Sequence, residues 1–243
     1  MRTASISSSR DGQISINHYT GQKGLDYFDY QSRFGDVAGR IIARKFAPHI
    51  SASDVVLDLG CGGGFVLKAL KCRQRLGVEI NPAARAVAVQ NRVTCVRTLD
   101  EIPDGCADVA ISHHCLEHVA SPLLMLRELQ AKIKPGGLLL IVVPIDDWRT
   151  QKKYDAADIN HHLYTWTPLL LGHLLAEAGF DIGTLRTVVR GNGWFRGYQK
   201  LYGFLPNPLF DFLSCVACLR RRTREIYGVV RKAQCGAVAV EQT

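Results

Sequence analysis

Val56-Leu57-Asp58-Leu59-Gly60-Cys61-Gly62-Gly63-Gly64 is the stretch on which the fold turns. With Asp54 and Val55 before it, its first half is a short apolar run of strand length, and its second half is nearly all glycine. An apolar run without period-two alternation predicts a strand buried on both faces. Glycines placed directly behind it let the chain turn sharply and let a ligand lie against bare backbone.

Working outward, Ser32 to Ile50 has apolar residues at helical spacing and predicts a helix. After the glycines, Phe65 to Lys71 resumes a helical pattern. Leu76 to Ile80 predicts a second strand, and Asn81-Pro82 caps the next helix. Val93–Val96, Ala107–Ser112 and Leu138–Val143 predict three more strands, the last entered through Pro135-Gly136-Gly137. Ser121-Pro122 and Thr167-Pro168 open two further helices, the second closed by Gly179. Strands alternating with helices imply an α/β fold with a doubly wound, mostly parallel sheet. Ile182–Val189 and Glu225–Val230 are two late strand candidates.

In such sheets a ligand binds at the carboxyl ends of the strands. Glu79 ends the second strand, 21 residues after Asp58, where a carboxylate can accept both hydroxyls of a ribose. A dinucleotide fingerprint counted from Gly60 needs its third glycine at 65, and that residue is Phe65. Asp58 beside the loop would repel a pyrophosphate but suits an ammonium group. S-adenosylmethionine (SAM) carries an ammonium group and a ribose and has no phosphate.

The same glycine stretch resembles motif I of the class I SAM-dependent methyltransferases. Leu116-Glu117-His118-Val119 and Lys134-Pro135-Gly136-Gly137 are similar to the family's later pattern, and His162 to Pro168 resembles a segment of its small-molecule members. The resemblance covers about residues 25–190 and again 225–232. It implies a Rossmann-like sheet of seven strands whose last two form an antiparallel pair, with a helical insert, 191–224, between them on the substrate side. It also implies that Asp58, Gly60 and Gly62 line the methionine part of SAM and that Glu79 holds the ribose. Thr98 and Leu99 would cup the adenine, with Asp100 as a substitute for the aspartate many members have at position 98. Ser112 and His113 would approach the methionine and the reactive methyl. Apart from the resemblance, Tyr27 to Gln31 read as an aromatic segment ahead of the first helix, a lid that excludes water, with Tyr30 touching the cofactor.

Methyl transfer from a sulfonium is an in-line displacement, so the protein chiefly aligns the acceptor with the methyl. A hydroxyl acceptor needs help to lose its proton, and histidine is the usual base near neutrality. His162, which heads the matched segment, is the first candidate, and His113 the second. His114, His161, Asp146 and Asp147 lie at the same sheet edge. His118 reads as structural. Neither the histidines nor Cys215-Val216-Ala217-Cys218 has the spacing of a metal site, so no metal is expected.

The chain has 243 residues, a length suited to one domain, and 47% are apolar, enough for a packed core. No run of 18 apolar residues offers a membrane span. Met1 to Thr20 is polar and Ser-rich, without a secretory apolar region, and reads as a frayed terminus ahead of a single domain over 21–243. The eight cysteines then read as reduced thiols of a cytoplasmic protein. Residues 182–232 hold ten basic side chains and two acidic ones, which accounts for the whole net charge of +8. Within them, an apolar stripe from Leu209 to Leu219 runs into Arg220, Arg221, Arg222 and Arg224, the pattern of an interfacial helix and equally of a packed helix with arginines at its negative end. The expected acceptor is therefore a small or lipid-linked molecule methylated at oxygen, with peripheral membrane contact through 207–224. The rivals are an RNA or protein methyltransferase using the basic insert, which has few aromatics for stacking, and a SAM-binding protein without catalysis.

Overall fold

A computed structural model describes residues 16–33, 35–146, 149, 153–189, 197–221 and 223–233. Seven strands form one sheet: β1 (Val55–Leu59), β2 (Gln74–Val78), β3 (Thr94–Val96), β4 (Ala107–His113), β5 (Ile133–Ile145), β6 (Phe180–Val189) and β7 (Arg224–Lys232). Their order is β3-β2-β1-β4-β5-β7-β6. The first five are parallel, and β7 lies antiparallel between β5 and β6. The mostly parallel sheet with an antiparallel last pair is the expected one.

Every residue of β1 is buried, which explains why its sequence carries no polar alternation. On one face of the sheet Leu57, Leu59, Ala110 and Ile141 pack with α6 (Pro122–Lys132) and α7 (Pro168–Glu177) through Leu126, Leu129, Leu171 and Leu175. On the other, Val56, Val109, Ile111 and Leu140 pack with Phe46 of α3 (Gly35–Phe46), Leu67 of α4 (Phe65–Ala69) and Ala88 of α5 (Pro82–Gln90). The Asn81 side chain caps α5, accepting from the amides of Ala83 and Ala84 at 3.0 and 3.3 Å.

Several expectations need correction. The helix expected over 32–50 is α3, followed by a short helical turn, Ala47–His49, and a further helix, α2 (Gly21–Ser32), precedes it, so Tyr27 to Gln31 lie inside a helix and not before one. Strand β5 starts earlier than expected, at Ile133, but its pairing with β4 jumps from Ala107–Ile133 to Val109–Leu138 and Gly136 has φ +75, so Pro135-Gly136-Gly137 bulges out of the ladder as a turn ahead of Leu138. The segment up to Thr20, expected to be frayed, holds structure among its described residues. Residues Ile16–Tyr19 form α1, and Tyr19 is buried. The signal was hidden because a four-residue helix has no period to read, and its stability comes from what Tyr19 packs against.

The described part of the insert holds α8 (Tyr198–Leu201) and α9 (Asn207–Arg221). Its contacts run to α3: Phe210 and Tyr198 pack on Ile41, and Arg44 grips Asp211 through two hydrogen bonds of 3.1 and 2.5 Å. Arg190, Trp194, Phe195, Arg196 and Arg222 lie outside the described residues, as does Asp147.

Candidate active site

The turn after β1 and the residue after β2 meet. Glu79 accepts hydrogen bonds from the amide of Gly62 at 2.9 Å and from the amide of Asn81 at 2.8 Å. The carboxylate thereby shapes the glycine loop as well as facing it. Burial raises its pKa, partly offset by those two amides. Asp58 is buried, and desolvation, with the neighbouring Glu79 charge, pushes its pKa up to about 8. Two carboxylates held in an apolar wall favour a cation near them.

Gly62 has φ +52, and a Cβ there would find only Gln31 Oε1, 3.9 Å away. The loop backbone therefore borders open space. Ser112, near the end of β4, is buried with an Oγ that has no hydrogen-bond partner among the described residues. A bare loop, an unsatisfied hydroxyl and two carboxylates are the donor set that an aminoacyl group and a ribose require, so these residues fit SAM. Leu99 is buried in a short helical turn, Leu99–Glu101, while Asp100 is exposed. The Thr98 hydroxyl donates to Glu101 Oε1 at 3.2 Å, a local capping bond.

A second cluster stands against this loop. Glu117 and His118 lie on the turn Leu116–His118 that follows β4, and both are buried. The amide of Leu163 donates to the carbonyl of Glu117 at 2.9 Å, which brings His162 to that turn. The His118 and His162 rings are 5.0 Å apart. His162 Nδ1 bonds Asp146 Oδ2 at 2.8 Å. Burial lowers the His162 pKa, but the bond and charge of Asp146, with Glu117 and Asp158, outweigh it and raise the value. His118 Nδ1 is 2.6 Å from the Tyr19 hydroxyl, which also donates to the Asn160 carbonyl at 3.0 Å. A hydroxyl has one proton, so His118 Nδ1 is the donor in this pair. Burial, and then His162, push the His118 pKa down to about 3, so the ring is neutral. Cys115 links the two clusters: burial raises its pKa, and so do Glu117, Glu79 and Asp58, in that order.

The sequence-predicted residues thus separate. His162 joins Asp146, Glu117, His118 and Tyr19. His113 does not: it stacks on His114 at 4.4 Å and stands edge-on to Phe46, on the α3 side of the sheet. Tyr30 points outward, 39% exposed, and Tyr27, one turn earlier on α2, is the tyrosine near the site. Burial raises its pKa, followed by the charges of Glu117 and Glu79. Tyr19, Glu117 and His118 were missed as site residues. The Leu-Glu-His-Val pattern was visible, but it reads as a helix start unless the approach of His162 is known.

The methyltransferase-domain family model matches residues 30–185. The chain belongs to this methyltransferase family. A probable S-adenosylmethionine-dependent methyltransferase of Mycobacterium tuberculosis is 27% identical over 112 residues, 43% of this chain and 40% of that one. A ubiquinone biosynthesis O-methyltransferase of Xanthomonas campestris is 33% identical over 101 residues, 35% of this chain and 41% of that one. The chain therefore spans about two fifths of the length of these curated relatives. The solved structure of Haemonchus contortus phosphoethanolamine N-methyltransferase 2 with SAM has a TM-score of 0.63 at 15% identity, over 92% of this chain and 61% of that one. The cofactor of this methyltransferase is SAM.

A pH dependence follows for cofactor binding. Below about pH 8 Asp58 is largely protonated, and a cationic ligand favours its carboxylate. SAM binding at pH 7 should therefore release a proton from Asp58, and affinity should rise as pH climbs toward 8 and then level off. Calorimetry in buffers of different ionisation enthalpy measures the release, which should vanish in Asp58→Asn. Equal release by wild type and variant would show that Asp58 does not feel the ligand.

Proposed function

We propose that this methyltransferase acts on a small or lipid-linked acceptor, at oxygen, seated against Tyr19, Glu117, His118 and His162. The observation that carries the reading is His162, held by Asp146 at 2.8 Å in a buried polar cluster beside the cofactor loop. When bound, SAM supplies an electrophilic methyl group on a sulfonium sulfur. Asp58, Gly60 and Gly62 hold its methionine end, Ser112 adds a hydroxyl, and Glu79 holds the ribose. Thr98, Leu99 and Asp100 border the adenine. Tyr19 and Tyr27, carried by α1 and α2, cover the cluster and exclude water. With Nδ1 committed to Asp146, His162 presents Nε2 and activates the acceptor oxygen, whose proton must leave as the O–C bond forms. The name of the Xanthomonas relative, an O-methyltransferase, supports oxygen.

Release of S-adenosylhomocysteine against a panel of hydroxyl, amine, RNA and protein acceptors tests this. Oxygen acceptors should turn over. Turnover only with RNA or protein would overturn the reading, and SAM binding without turnover on any acceptor would mark a non-catalytic binder.

A membrane-presented acceptor has its own observation. No helix among the described residues is long and apolar enough to cross a membrane. Yet α9 buries Phe210, Ser214 and Cys218 and turns Leu209, Phe212, Leu213 and Leu219 outward, with Arg220 and Arg221 at its end. We expect reversible binding to anionic vesicles, with ~1 kcal/mol from each arginine near the surface. Replacing Arg220, Arg221 and Arg224 with Gln, or raising salt, should release the protein in flotation without loss of SAM binding. Wild type that fails to float at low salt would point to a soluble acceptor.

A further inference from the structure

Among the described residues, two clusters bring three metal-ligating side chains together, and their surroundings differ. In the first, His113 and His114 meet Glu225, but the Lys45 ammonium already sits on the Glu225 carboxylate. That cation neutralises the site. In the second, Glu117, His118 and His162 each offer one ligand atom, and these atoms all lie within 4.8 Å of one another. Donors around a bound cation at about 2.0–2.2 Å stand about 3–3.5 Å apart, so a small closure of side chains suffices.

The outer contacts are those a metal site uses. A ligating histidine gives its other ring N–H to an oxygen, which fixes the tautomer and aims the lone pair at the metal. His162 gives Nδ1–H to Asp146, and His118 gives Nδ1–H to Tyr19, which is itself anchored on the Asn160 carbonyl. Donation from Nδ1 leaves Nε2 of each neutral ring as the acceptor, the His161 backbone also lies within hydrogen-bond reach of the His118 ring, and His118 Nε2 faces Glu117 Oε1 at 3.8 Å. The Leu163–Glu117 backbone bond holds the two ligand-bearing segments together. Glu117 is fully buried, and burying a carboxylate costs free energy that a cation offsets.

We propose that Glu117, His118 and His162 bind one divalent first-row transition-metal cation beside the cofactor loop. Two imidazoles and a carboxylate suit Zn²⁺, Fe²⁺, Mn²⁺ or Co²⁺, and three protein ligands leave positions open for an acceptor oxygen. The inference rests on the acceptor site proposed above and specifies how His162 acts there. A hydroxyl held on the cation loses its proton to solvent more readily, so His162 serves as a ligand and Asp146 as the residue that positions it.

The test is direct binding, independent of turnover. Full-length protein is stripped with chelator and dialysed against Zn²⁺, and separately titrated with Co²⁺ while its visible absorption is followed. Wild type should take up one equivalent. Glu117→Gln, His118→Ala and His162→Ala should each lose it while still binding SAM, which shows that they fold. Asp146→Asn keeps all three ligands and should weaken binding about 10–100-fold. His114→Ala should bind as wild type does. No uptake by wild type, or uptake that survives in His118→Ala and His162→Ala, would overturn the proposal. If wild type takes up no metal yet binds SAM and transfers methyl at full rate, the cation site fails and the methyltransferase reading stands.

Discussion

Gly62→Val should abolish SAM binding in a protein that still folds. Gly62 sits at φ +52, a region that a β-branched residue enters only at a cost of about 1–3 kcal/mol. A domain with ~5–15 kcal/mol of stability survives that cost. What it does not retain is the open face of the loop. The new side chain would project into the space toward Gln31 Oε1, where the cofactor must lie, and the amide that Glu79 now holds at 2.9 Å would shift. Affinity should fall at least ~100-fold, the effect of losing about 3 kcal/mol. Calorimetry reads the affinity, and circular dichroism with a melting curve reads the fold. A folded variant with unchanged affinity would remove the loop from the cofactor site.

His162→Ala carries the second large effect. It removes Nε2 from the acceptor cluster and leaves Asp146 without its partner, while the glycine loop, Asp58 and Glu79 are untouched. The rate with saturating acceptor should fall by about 10²–10⁴, with SAM affinity within twofold of wild type. His113→Ala is the comparison, since that ring stacks on His114 away from the cluster. It should change the rate far less. If SAM affinity falls and the rate per bound cofactor does not, His162 is a brace for the loop and the acceptor lies elsewhere.

What could be read from the chain depended on how local the information was. The β1 run and its glycines encode their own strand and turn, and Glu79 follows because a strand end must meet the loop beside it. The alternation of elements then leaves few sheets to choose from. The acceptor cluster is different. Glu117 and His162 are far apart in sequence and meet through one backbone bond from Leu163, which no periodicity announces. Tyr19 lies in a segment whose composition resembles a loose terminus, and its place is set by distant residues: its ring packs on Tyr27 and His118 and its hydroxyl is held by His118 and Asn160. His113 and His114 are adjacent in sequence to the correct strand end, but the pleat turns His113 to the α3 side. Tyr27 and Tyr30 show a related effect: on a helix, three residues decide which tyrosine stands near the acids, and a reading that starts its first helix at Ser32 does not see α2.

The central claim is methyl transfer to an acceptor oxygen at the His162 cluster. Its most direct measurement is incubation of the purified protein, with methyl-labelled SAM, in a small-molecule and lipid extract, analysed by mass spectrometry beside His162→Ala. The account predicts a labelled species one methylene heavier than its precursor, bearing the methyl on oxygen and nearly absent with the variant. Label found only in protein or RNA, or formed equally by wild type and His162→Ala, would contradict it.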